Sequence, residues 1–69
     1  MATKYHFDDG MLPILGVVWR RFDTEKEARA FAAWAERTTK HHAHPCEAFV
    51  MSDQAGENGD QWEVKVRNW

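Results

Sequence analysis

Cys46 is the only cysteine in a chain of 69 residues, so no disulfide can staple the fold from within. A chain this short buries only about 60% of its unfolded surface and is marginally stable. Small domains of this length borrow support from disulfides, metals or oligomers. Here that leaves a well-packed aromatic core, self-association or a metal. The length allows one domain, residues 1–69, and no more.

The aromatic supply is large. Four tryptophans stand beside four phenylalanines and one tyrosine. The helix signal is the firmest local feature. Thr24 followed by Glu27 is a capping-box pattern, in which each side chain can satisfy a backbone N–H of the other. Ala28, Phe31, Ala32 and Ala35 then fall at helical spacing and form one apolar stripe. Asp23, Glu25 and Glu27 suit the positive end of the dipole, and Lys40, His41 and His42 the negative end. Pro45 forbids continuation, because it pushes its predecessor out of the α region.

The rest reads as strands. Thr3 to Phe7 alternates between Thr3, Tyr5, Phe7 and Lys4, His6. Asp8-Asp9-Gly10 is a turn signal. Ile14 to Phe22 is β-branched and aromatic, with Gly16 marking a bulge or close approach. Its apolar residues occupy both parities, so both faces need cover, from this chain or another. Cys46 to Ser52 and Gln61 to Asn68 complete the set, with Trp62, Val64 and Val66 opposite Glu63, Lys65 and Arg67. Asp53 to Asp60 is polar, carries Asn58-Gly59 and reads as a hairpin loop. The expected fold is α+β: ββαββ, a four-stranded, mainly antiparallel sheet with one helix on one face.

One helix covers only one sheet face, and its alanine-rich stripe offers little volume. The tryptophans therefore exceed what the core can hold. Trp34 lies about 100° from the stripe centre. Trp69 shares strand parity with Lys65 and Arg67, and Trp19 with Leu15 and Val17. Exposed aromatics beside arginine have the composition of binding hot spots. Trp34, Trp69, Trp19, Arg67 and Lys65 are the candidate partner-binding residues.

Other chemistries are weighed against this. In an extended segment His42, His44 and Cys46 project the same way and are candidate zinc ligands, but no second ligand pair is evident. A helix end followed by a small buried thiol explains the same residues. Arg20 or Arg21, with Lys65, Arg67 and Trp69, offers stacking and charge for single-stranded nucleic acid. The net charge of −2 opposes that reading, and equally falls short of the acidic coat of a DNA mimic. No phosphate loop or catalytic motif is present, so an enzyme is not expected, and no cofactor is implied.

No stretch reaches the roughly 18 apolar residues of a membrane span. Met1 to His6 lacks the apolar core of a signal peptide, and one free thiol suits the cytoplasm.

In layout the capped helix from Thr24 to Lys40, followed by the strand pair Cys46 to Ser52 and Gln61 to Asn68, resembles small anti-defence proteins encoded by phages, including some anti-CRISPR proteins. That resemblance implies a non-enzymatic inhibitor that blocks a host complex through surface contacts. It assigns no site residue. The sequence thus points to a protein-binding inhibitor or adaptor, expected as a homodimer, with a nucleic-acid module or a zinc-stabilised domain as alternatives.

Overall fold

The computed structural model describes residues 6–53 and 61–69. Its helix, α1, spans Glu25–Thr38. Thr24 caps it as the sequence predicts, its hydroxyl oxygen accepting from the Glu27 N–H at 3.2 Å. The helix stops earlier than expected. Thr39 turns its hydroxyl back to donate to the Ala35 carbonyl at 2.7 Å, and the same oxygen accepts from the Cys46 N–H at 2.9 Å. A single buried hydroxyl therefore ends α1 and fastens the chain leading into the next strand. Lys40 to His44 form turns rather than a last helical turn.

Among the described residues three strands form one sheet: β1 (Gly16–Phe22), β2 (Glu47–Asp53) and β3 (Gln61–Asn68). Their order across it is β1-β3-β2. β3 runs antiparallel to both neighbours. β1 and β2 therefore run parallel to each other, linked through α1, with β3 inserted between them. This is a split β-α-β unit.

The α+β class stands, but among the described residues neither the ββαββ order nor a fourth strand is seen. The described elements run β1, α1, β2, β3. Of the expected first strand, residues 3–5 lie outside the described residues, and His6 and Phe7 are not strand. Phe7 instead inserts into the core, its ring centroid 5.3 Å from Phe31 and 6.3 Å from Phe22 in edge-to-face geometry. The reason is volume: Ala28 and Ala35 leave space beside Phe31 that an aromatic ring fills. The expected loop lies outside the described residues at 54–60, while Asp53 belongs to β2.

The second expected strand also begins later, at Gly16 rather than Ile14. Gly16 has φ +132°, a backbone region that side chains rarely adopt, and a Cβ there would meet nothing within 4 Å. Glycine is needed for conformation, not for close approach.

Even-numbered strand residues face the helix. Phe22, Ala28, Phe31, Ala35, Cys46, Val64 and Val66 form the buried cluster. α1 lies mainly over β2 and β3. The N-terminal segment covers the core beside β1. Asp8 to Leu12 folds into a short 3-10 turn, with Asp8 Oδ1 accepting from the Gly10 N–H at 2.9 Å. Arg20 pins this turn: its Nε donates to the Met11 carbonyl at 3.0 Å and its Nη2 to the Gly10 carbonyl at 3.2 Å. Phe7, Met11 and Leu12 then pack against the cluster. Both supports lie on one side of the sheet.

Candidate interaction face

Odd-numbered strand residues face away from the helix. Beyond the β2–β3 pair of Asp53 and Gln61, the pairing register sorts them into three rows that cross all three strands. Val17, Arg67 and Glu47 form one. Trp19, Lys65 and Phe49 form the middle row. Arg21, Glu63 and Met51 form the third. Val17, Trp19, Phe49 and Met51 are 40%, 52%, 41% and 38% exposed. Leu15 and Trp69, which continue the parity beyond the β1-β3 ladder, are 62% and 71% exposed, and Ile14 beside them is 91% exposed. All the large apolar side chains exposed among the described residues thus belong to this face or to its Ile14–Leu15 and Trp69 end.

The charges on this face are arranged by row. Arg67 Nε lies 3.2 Å from Glu47 Oε1, and its guanidinium carbon sits 5.2 Å from the Phe49 ring centroid. Arg21 Nε lies 3.6 Å from Glu63 Oε2. The outer rows are therefore internally neutralised. Lys65, in the middle of the central strand, has no carboxylate within ion-pair distance among the described residues. Its ammonium lies 5.7 Å from the Trp19 ring centroid, a cation–π contact.

The structure brings Trp19, Lys65 and Arg67 together, with Trp69 at the end of the same face. It sets Trp34 apart. That indole is half-buried on the helix side, with ring centroids 5.5 Å from Phe7 and 5.8 Å from Phe31. Of the two arginines the sequence left open, Arg21 is on the face, while Arg20 is the latch on the other side. Phe49 and Met51 were not among the sequence candidates. Their parity was visible, but only the register shows that they stand across Lys65 and Glu63 from Trp19 and Arg21.

The histidine segment has different employment. Cys46 is buried, and its amide is held by Thr39. His44 Nδ1 donates to the main-chain oxygen of Trp69 at 2.7 Å. Among the described residues, no three His, Cys, Asp or Glu side chains gather as a metal-ligating group. His42, His44 and Cys46 instead line an open groove of about 350 Å³ with Leu12, Pro13 and Asn68 among its other walls. The Asn68 amide bridges this region, donating to the Pro13 carbonyl at 3.0 Å and the His44 carbonyl at 3.4 Å. Its Oδ1 is buried and has no hydrogen-bond partner among the described residues.

Compared with protein-family models, curated proteins and solved structures, the chain matches none. Function must be argued from the face itself.

Proposed function

We propose that this chain is a non-enzymatic protein-binding domain, an inhibitor or adaptor that occludes a partner through the open face of its sheet. One observation carries the reading: Val17 and Trp19 on β1 and Phe49 and Met51 on β2 stand exposed on either side of the charged outward residues of β3. Exposed apolar surface interleaved with polar side chains in this way marks interaction sites. Aromatic rings beside arginine are the composition of interface hot spots.

A nucleic-acid partner would use the same aromatics, but charge argues against it. Backbone binding draws its affinity from cations that neutralise phosphates. Two of the three cations on this face are already committed to Glu47 and Glu63. Those two carboxylates would face incoming phosphates. The inhibitor role suggested by the resemblance to phage anti-defence proteins fits this surface and belongs to the same proposal.

The test is a capture experiment with native protein and the Trp19→Asp variant. The native chain should retain a protein partner at about 0.15 M salt, and the variant should lose it while melting at a similar temperature. Equal capture by both would refute the reading. Capture of single-stranded nucleic acid that weakens steeply with salt would replace it with the alternative.

A further inference from the structure

We infer that the occupant of the open face is a short acidic-apolar segment of the partner, with one carboxylate seated on Lys65 between Trp19 and Phe49. This inference rests on the open-face reading above and adds the chemistry and the size of what binds there.

Charge fixes the chemistry. The outer rows carry one cation and one anion each, and both pairs are closed within the face. Of the three rows, only the middle one carries a charge without a counter-charge among the described residues. Lys65 stands there between two aromatic side chains, directly opposite Trp19 on one strand and Phe49 on the other. An arriving apolar surface would desolvate the Lys65 ammonium. An unpaired charge in such a place is costly, so the complementary surface supplies an anion. Apolar groups flanking that anion would cover Trp19 on one side, and Phe49 with Met51 on the other.

Area fixes the size. Three strands about 4.8 Å apart and seven residues of about 3.3 Å each span roughly 14 by 23 Å, or roughly 330 Å². Doubled for side-chain relief, that reaches only the lower end of the roughly 600–1,000 Å² per partner of a stable interface between globular proteins. It suits a single peptide segment. A second copy of the chain fits poorly for another reason. A two-fold axis through the centre of the face places Lys65 against Lys65. Moving the axis away leaves the aromatic row partly uncovered.

The experiment uses the full chain with terminally blocked peptides of sequence Ala-Leu-Asp-Phe-Ala, its Asp-to-Asn counterpart and its Asp-to-Lys counterpart. Binding is followed by amide and indole NMR shifts at low salt. Shifts should centre on Val17, Trp19, Phe49 and Lys65. The Asp peptide should bind about fivefold tighter than the Asn peptide, a preference of the size expected for a half-exposed ion pair. Lys65→Met should erase the preference while both peptides still bind. Lys65→Glu should transfer it to the Lys peptide. Equal binding of the Asp and Asn peptides on the native face would overturn the carboxylate assignment and leave the open-face reading standing. Shifts located elsewhere, no shifts at millimolar peptide, or a face already closed by a second copy would overturn the inference together with the peptide-docking form of that reading.

Discussion

Phe31 and Phe49 are the same residue on opposite sides of one sheet, and their substitution tests the asymmetry on which the functional proposal depends. Phe31 is fully buried, with ring centroids 5.1 Å from Phe22, 5.3 Å from Phe7 and 5.8 Å from Trp34. Truncating a buried phenylalanine to alanine costs about 3–5 kcal/mol. The three ring contacts place Phe31 toward the upper end, because aromatic pairs add about 0.5–1.5 kcal/mol beyond burial. A domain of this length has a total stability of roughly 3–10 kcal/mol. Phe31→Ala should therefore leave much of the protein unfolded at room temperature. Phe31→Leu, which keeps most of the volume, should leave a measurable transition. Phe49 is 41% exposed, stands opposite Lys65 in the ladder and has the Arg67 guanidinium over its ring. Phe49→Thr keeps a good strand former and should cost about 1 kcal/mol, the sum of a cross-strand pair and an exposed cation–π contact. Urea denaturation followed by circular dichroism reads both, with an unchanged slope confirming that the unfolded states are comparable. A Phe49→Thr variant as unstable as Phe31→Ala would mean that the open face is covered, and the argument from exposed aromatics would fail.

Two further substitutions probe the joint at the end of α1. Thr39→Val removes the hydroxyl that serves both Ala35 and Cys46 and leaves the buried Cys46 N–H without a partner. A net loss of about 1–1.5 kcal/mol, allowing for the added methyl, should lower the melting temperature by about 4–12 °C. Thr39→Ser keeps both bonds, so Cys46 amide exchange should accelerate in the valine variant alone. Equal protection in the two would refute the role of the hydroxyl. Asn68→Asp places a carboxyl group against the Pro13 and His44 carbonyl oxygens. Its charged form is penalised there, so its folded pKa rises above the unfolded value of about 3.9. The variant should approach native stability below that pH and lose about 2–4 kcal/mol relative to the native protein as pH rises through and beyond it. A stability difference independent of pH between 3 and 7 would contradict the hydrogen-bond assignment.

The helix start was legible because its signals are local: Thr24, Glu27 and the stripe through Ala28, Phe31 and Ala35 all lie within a dozen residues. Its end was not, because Thr39 stops it through a bond to Cys46, seven residues on. β-Branched and aromatic content located β1, and alternation located β3. It also suggested a strand at Thr3 to Phe7; residues 3–5 lie outside the described residues, and Phe7 is not strand but a ring reaching into the core. That ring extends the cluster toward Trp34, which helical geometry alone placed on the flank. The face was half legible. Parity joined Lys65, Arg67 and Trp69 on one strand, but parity does not say which strands are neighbours. Only the insertion of β3 between β1 and β2 brings Trp19 and Phe49 to either side of Lys65.

Cys46 and Ala48 direct their amides away from β3. The first is bound by the Thr39 hydroxyl and the second by the Glu36 carboxylate at 3.1 Å. A foreign strand pairing with the start of β2 would have to evict both groups. Edge-to-edge growth into a filament needs two receptive borders on every subunit. With the first amides of one border held by Thr39 and by its own helix, that border is closed to a foreign strand at its start and can be paired only beyond Ala48.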